Sequence, residues 1–215
     1  MFNRIKIILQ DRSGTSMVEF SLVMLTFFTI VGGLVDFSVV VYKFNAATKA
    51  AYQGARLASV SDPVSSDLKT LTGLGGNVNP GDPFPAFIRV CSGATQTCSG
   101  GTYDATAMSD LVYGRGKTTC GTTLGADNFA GMCKAFTHIT PANVIVTYQS
   151  QAGLGFAGRP GSNGRTGGAV PIITVQLTGL TASLPFVGSI LGLGPITFPP
   201  LETTAIGEDM NSTAD

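Results

Sequence analysis

Apolar residues crowd the start of the chain. Residues 17–42 read MVEFSLVMLTFFTIVGGLVDFSVVVY, with Glu19 and Asp36 as the charges within the run. As a helix rising about 1.5 Å per residue, this stretch spans roughly 39 Å, more than the ~30 Å hydrocarbon core of a bilayer. It is long enough to cross a membrane. Farther on, the pattern becomes periodic: Val40, Phe44, Ala47, Ala51, Gly54 and Ala58 recur at steps of four and three and share one helical stripe. Asn45, Lys49, Gln53 and Arg56 fall on the opposite face. The helix is therefore expected to turn amphipathic and to pack its small-residue side on the following domain or on a neighbouring subunit. Asp62-Pro63 ends it, because a residue preceding proline is driven out of the α region. The prediction is one helix over residues 16–61. Gly32-Gly33 within it marks either a soft point for bending or a flat patch for close helix contact.

After Pro63 the pattern shortens and glycine multiplies. Strands are expected at residues 86–92 (AFIRVCS), 143–150 (NVIVTYQS), 169–180 (AVPIITVQLTGL) and around FPPLETTAIGED near the end. Pro171 confines the third of these to an edge or to its first residues. DATAMSDLVYG reads as a short helix capped by Asp104, with Ala105, Met108, Leu111 and Val112 on one face and Gly114 at its end. Residues 151–168, QAGLGFAGRPGSNGRTGG, are too long and glycine-rich for a tight hairpin and are expected to form a mobile loop. The fold class is α+β: a long N-terminal transmembrane helix, continuing into an amphipathic half packed on a small antiparallel sheet with glycine-rich loops.

Charge gives the topology. Arg4, Lys6 and Arg12 outweigh Asp11 ahead of the apolar run, so the positive-inside rule keeps the leader in the cytoplasm and sends the body across. The expected organisation is a cytoplasmic basic leader at 1–14, a transmembrane helix at 15–42, an extracytoplasmic amphipathic helix at 43–62 and a mainly β extracytoplasmic domain at 63–215. A cleaved secretory signal is the competing reading. Its apolar core would be about 7–15 residues and would end in a small-x-small site. The run here is longer, and no Ala-x-Ala precedes residue 60.

Formal net charge is zero, which offers no polyanion-binding surface and no sign of a nucleic-acid partner. All four cysteines, Cys91, Cys98, Cys120 and Cys133, fall in the exported part, where oxidation is permitted. Two disulfides are expected. Three pairings satisfy that count, and the short intervening loops favour Cys91 with Cys98 and Cys120 with Cys133. Zinc is the rival reading, but intervals of six and twelve residues lack a paired C-x₂-C.

Catalytic chemistry has little to stand on. His138 is the one histidine, beside a strand, and reads as a structural or surface residue. YGRGKTT at 113–119 departs from the phosphate-loop pattern, which requires glycine where Leu111 stands. No His, Cys, Asp and Glu cluster has metal-ligand spacing, and GEDMNSTAD at the end reads as a solvated tail. No cofactor and no metal is expected.

Glu19 is the residue with an unexplained cost. A charged side chain in hydrocarbon is unfavourable by something like 2.5–3.5 kcal/mol on insertion scales. Close to the interface it can snorkel to headgroups. The local pattern offers more: a basic leader ending in Gly14, then TSMV, then Glu19-Phe20, then the apolar run. This G-x₄-E-[FY] arrangement resembles the processing site of type IV prepilins, which a membrane-embedded peptidase cuts after the glycine. Here the cut would follow Gly14 and free Thr15. Glycine, lacking Cβ, allows the extended backbone and close approach that a peptidase cleft needs. Glu19 would then lie one helical turn from the new α-amino group and accept that group from an adjacent, axially offset subunit, which relieves both charges and sets register.

The resemblance narrows at AATKAAYQGARLASVSDP. The G-A-R-x-A stretch Gly54-Ala55-Arg56-Leu57-Ala58, with the acidic-aromatic pair Asp36-Phe37, is similar to the TadE-like family of tight-adherence (Tad/Flp) pilus proteins, and VPIITVQL and ETTAIGEDM resemble that family's C-terminal sheet. Residues 14–60 carry most of the likeness. It implies a pseudopilin or minor pilin, not an enzyme, held in the bacterial inner membrane by a single pass and able to enter an extracellular pilus that serves surface adhesion. Implied partners are other pilins or pseudopilins, the prepilin peptidase and the inner-membrane assembly platform with its ATPase. Thr15 departs from the aromatic or apolar first residue of major type IV pilins, which puts its N-methylation in doubt. The alternative is a permanently anchored receptor or adhesin whose glycine-rich loop meets a ligand.

Overall fold

The computed structural model describes residues 13–121, 130–158, 169–207 and 210. The leader before Ser13, residues 159–168 of the glycine-rich loop and most of the acidic tail lie outside the described residues.

A single helix, α1 (Ser13–Val60), carries the whole N-terminal part. No proline interrupts it, and the serine and threonine hydroxyls of its apolar part are satisfied locally. The hydroxyl of Ser21 donates to Met17 O (2.8 Å), Thr26 to Leu22 O (2.9 Å), Thr29 to Thr26 O (2.8 Å) and Ser38 to Leu34 O (2.8 Å). Each bond spends the hydroxyl on a carbonyl of the preceding turn, so these serines and threonines interrupt the apolar run in sequence but scarcely in chemistry. α1 passes through Gly32-Gly33 unbroken and stops before Asp62-Pro63. It begins three residues ahead of the predicted start, with Gly14 already inside its first turn.

Contacts divide the chain into two compact units. One joins residues 13–42 of α1 to the segment Ala182–Ile196; the other takes Lys43–Thr181 and the residues from Thr197 onward.

The larger unit is built on an antiparallel sheet. Its strands among the described residues are β1 (Phe87–Ser92), β2 (Thr97–Cys98), β3 (Val144–Ser150), β4 (Ile172–Leu177) and β7 (Leu201–Ile206), in the order β2-β1-β3-β4-β7. Alternation decides the faces. Val144, Val146, Tyr148 and Ser150 of β3 and Ile173, Val175 and Leu177 of β4 are buried. Register sets Val146 opposite Val175 and Tyr148 opposite Ile173, so the two central strands present one apolar face. Pro171 stands just before β4, where its missing N–H costs the ladder nothing, and its carbonyl accepts from Gly207 N (2.8 Å). Five strands form where three or four were expected. The extra one, β2, is two residues long and too short to leave a periodic trace in sequence.

α2 (Ala105–Tyr113) is capped by Asp104, whose carboxylate accepts from the N–H groups of Thr106 (3.0 Å) and Ala107 (3.1 Å). Gly114 ends it at φ 99°, a left-handed value that favours glycine. Met108, Leu111 and Val112 are buried as the pattern predicts, whereas Ala105, placed on that face by the pattern, is exposed.

In the same unit, Ala47, Ala50, Ala51, Gly54, Ala55 and Ala58 of α1 are buried while Asn45, Lys49 and Arg56 face outward. Small residues let the backbone approach closely. A Cβ on Gly54 would stand 2.7 Å from the Met132 thioether. Gln53 Nε2 donates to Ala130 O at 2.6 Å, and Phe44 meets Phe198 edge to face with ring centroids 5.7 Å apart. Just past the helix, Val64 N donates to the Tyr148 hydroxyl (2.9 Å), a fully buried bond that ties this turn to β3.

β4 and β7 pair directly, so everything between them is one long excursion. It contains the short strands β5 (Thr181–Ala182) and β6 (Ile196–Thr197), which pair with each other, and a five-residue helix, α3 (Val187–Leu191), at the far end.

Candidate functional site

The residues of the proposed processing pattern all lie at the start of α1. Gly14, Thr15, Glu19 and Phe20 fall within its first eight residues, Ser13 being the first. Glu19 is exposed, and at i+4 from Thr15 it occupies the same face one turn on. Phe20 is exposed too.

From residue 15 to residue 31 every side chain of α1 is exposed. Met17 is 75% and Phe28 66% accessible, with Phe20, Leu25 and Ile30 all above half. An apolar surface so continuous does not face water in a stable protein; lipid or neighbouring helices must cover it. The helix is long and apolar enough to cross a membrane.

Burial resumes at Gly32 and Asp36, and the segment that covers them comes from the other end of the chain. Asp36 is 2% exposed. Its Oδ1 accepts from Phe186 N at 3.0 Å, and its Oδ2 accepts from Phe186 N at 3.2 Å and Val187 N at 2.6 Å. Those amides open α3, so the carboxylate meets the donors that a helix start leaves without partners. Gly32 lies one turn earlier on the same face. A Cβ there would stand 3.2 Å from Phe186 Cβ, so the absent side chain is what admits the phenylalanine. Of the two readings of Gly32-Gly33, the flat patch fits, and its partner belongs to the same chain. In the sequence, Asp36 stands out only as half of the acidic-aromatic pair Asp36-Phe37. Nothing in its neighbourhood announces an acceptor for amides 150 positions away.

The G-A-R-x-A stretch divides by burial. Gly54, Ala55 and Ala58 face the interior of the larger unit, while Arg56 is exposed. Both disulfides are present: Cys91–Cys98 joins β1 to β2 as opposed partners in the ladder, and Cys120–Cys133 closes a longer loop.

His138 is exposed in a turn with its ring 5.5 Å from that of Phe136. In YGRGKTT, Gly116 N donates to Asp110 Oδ1 (2.9 Å) and Lys117 N to Gly114 O (3.0 Å), so these amides serve the turn itself. Asp67 accepts from Arg89 Nε at 2.9 Å and from the Ser65 hydroxyl, while Lys69 reaches Asp62 (3.4 Å) and Asp104 (3.5 Å). These pairs tie the connection after α1 to the start of α2 and to β1. Burial pushes the Tyr148 phenol well above the ordinary tyrosine range, against the smaller opposing effect of the Val64 N–H. Burial, helped by the neighbouring Asp104 charge, raises Tyr103. Among the described residues no group of three or more His, Cys, Asp and Glu side chains gathers as for a metal.

The helix that carries the G-x₄-E-[FY] pattern, the exposed apolar surface, Asp36 and the G-A-R sequence is also where a likeness to known proteins falls. Residues 14–56 match the family described as TadE-like protein. The TadE-like segment thus starts at Gly14, takes in Glu19, Phe20, Asp36 and Phe37, and ends on Arg56. It lies wholly within α1, and the sheet and α3 stand outside it. No curated protein and no solved structure matches the chain.

Proposed function

We propose that the protein is a pseudopilin or minor pilin of a Tad/Flp-type pilus, cut after Gly14 by a prepilin peptidase and taking part in pilus assembly and so in surface adhesion. The observation that carries this reading is the G-x₄-E-[FY] pattern at the head of an exposed apolar helix, inside the TadE-like segment.

The physical steps follow from the residues. The basic leader holds the N-terminus in the cytoplasm, α1 crosses the inner membrane through residues 15–42, and residues 43–215 stand outside. Gly14 is the weak link of the first turn, since glycine costs a helix about 1 kcal/mol relative to alanine. Local unwinding there presents the Gly14-Thr15 bond at little expense. After cleavage the Thr15 α-amino group carries a positive charge in or near lipid, and Glu19 carries a negative one a turn away. Pairing Glu19 with the amine of an adjacent subunit cancels both and fixes the stagger between parallel helices. The exposed apolar face of α1 supplies the remaining contact. This is a structural role, without catalysis, and its partners are other pilins or pseudopilins, the peptidase and the inner-membrane assembly platform.

Two substitutions test it in cells that assemble the pilus. Gly14→Val should leave the leader attached. Glu19→Ala should still be processed, yet should lower the amount of assembled pili. Normal piliation in both variants would contradict the proposal and favour a permanently anchored receptor.

A further inference from the structure

We infer that the excursion Ala182–Ile196 is a second membrane-embedded element, a re-entrant hairpin that lies in the outer leaflet against α1 with its exposed residues in contact with lipid acyl chains. The inference rests on α1 being a membrane anchor and goes beyond that reading, because it assigns a lipid contact to a segment outside the TadE-like match.

Sequence composition is the first observation. No charged residue occurs between Arg165 and Glu202, a longer charge-free interval than the one between Glu19 and Asp36. Exposure is the second. Phe186 (51%), Ile190 (67%), Leu191 (66%) and Leu193 (53%) crowd one short segment and stand open. In water such a cluster would be costly; beside the exposed apolar surface of α1 it continues the same lipid-facing belt.

Position is the third. Gly32 and Asp36 hold Phe186 and Val187, while Ile190 and Leu191 share with Leu25 and Phe28 the walls of an apolar cleft of about 340 Å³. With Met17 at the cytoplasmic edge, Asp36 stands about 29 Å along the helix and Phe28 about 17 Å, so the hairpin reaches from the far boundary toward mid-membrane. The one polar side chain on the cleft wall is Thr29, and its hydroxyl is already donated to Thr26 O. Water finds at most that one hydroxyl oxygen as a partner there, whereas a hydrocarbon chain needs none.

Backbone accounting is the fourth. Non-helical backbone survives at membrane depth only where its polar groups are met by protein. Phe186 N and Val187 N are met by Asp36, Ile190 N by Phe186 O, Gly192 N and Leu193 N by Gly188 O, and the Ser189 hydroxyl by Pro185 O and Phe186 O. Asp36 itself is thereby a buried carboxylate with three hydrogen bonds, not an unmet charge.

The chain has no tryptophan, so one introduced tryptophan reports its own surroundings. The full chain, reconstituted in phosphatidylcholine vesicles, would be examined as Ile190→Trp, with Phe27→Trp marking the anchor and Ile206→Trp marking β7. Phospholipids brominated on their acyl chains should quench the Ile190→Trp and Phe27→Trp emission roughly twofold, while aqueous acrylamide should quench only Ile206→Trp strongly. If Phe27→Trp is quenched by bromolipid and Ile190→Trp by acrylamide, the hairpin inference is wrong and the anchor stands. If neither responds to bromolipid, the anchor reading itself is wrong. An Ile190→Trp probe shielded from both quenchers would mean protein, such as a second copy, covers the hairpin, and would also overturn the lipid contact.

Discussion

The Asp36 carboxylate accepts the Val187 N–H at 2.6 Å across 151 positions of sequence. One acidic residue in the apolar run is thereby the latch between the N-terminal helix and a hairpin that the chain makes near its other end. Its burial is explained by its partners, whereas Glu19 remains exposed with its proposed partner on another subunit.

Asp36→Ala should release the hairpin. The Phe186 and Val187 amides would lose their acceptor in an apolar setting, at a cost of about 1–3 kcal/mol for each buried unsatisfied group. Hydrogen exchange of the detergent-solubilised protein should show protection lost in residues 182–196 and retained in β3 and β4. Unchanged protection across the hairpin would contradict the latch.

Gly32→Leu should act on the same contact by crowding it. The new side chain enters the space of Phe186, and overpacking of this kind costs about 1–3 kcal/mol. The expected readout is again faster exchange in residues 182–196. Gly54 provides the contrast in the larger unit: Gly54→Ala meets only the flexible end of Met132. It should change the melting temperature little, because about 1 kcal/mol of gained helix propensity opposes the crowding.

Tyr148→Phe should remove the acceptor of the Val64 N–H, destabilising the larger unit by about 1–3 kcal/mol in denaturant titrations. The pH dependence has a defined sign. Burial raises the Tyr148 phenol, so the native state holds this proton where the unfolded state has released it. The stabilisation is whole below the ordinary tyrosine value of about 10 and is lost as pH rises beyond it. The wild-type chain should therefore lose stability more steeply in alkali than Tyr148→Phe.

The two disulfides should appear as Cys91–Cys98 and Cys120–Cys133 in non-reducing peptide maps. Opening the second should cost more, because its loop is longer, with the chain-entropy account giving about 3 kcal/mol for a loop of this size. A Cys120→Ser, Cys133→Ser double variant should melt at a lower temperature than the wild type.

Much of the fold was legible because its signals are local. The apolar run, the step-of-four-and-three alanine stripe and Asp62-Pro63 mark α1 nearly to its ends. Alternation marks β3 and β4, and Asp104 with Gly114 brackets α2. What sequence could not show depends on distance or on length. β2, β5 and β6 are two residues each and carry no period. Asp36 finds its donors 150 and 151 positions away, beyond the reach of any local pattern. The stretch PFVGSILGLGP lies between two strongly patterned strands and has no clear period of its own, so the pattern predicts no element there. The G-x₄-E-[FY] pattern from Gly14 to Phe20 stands out for a different reason: a motif seven residues long fits within one element and needs no tertiary partner to be seen.

The central claim is removal of the leader, and the N-terminal sequence of the protein purified from native membranes tests it most directly. Processing after Gly14 predicts a chain beginning Thr15-Ser16-Met17, and a Gly14→Val variant that keeps residues 1–14. A wild-type chain that still begins at Met1 in cells bearing assembled pili would contradict the account.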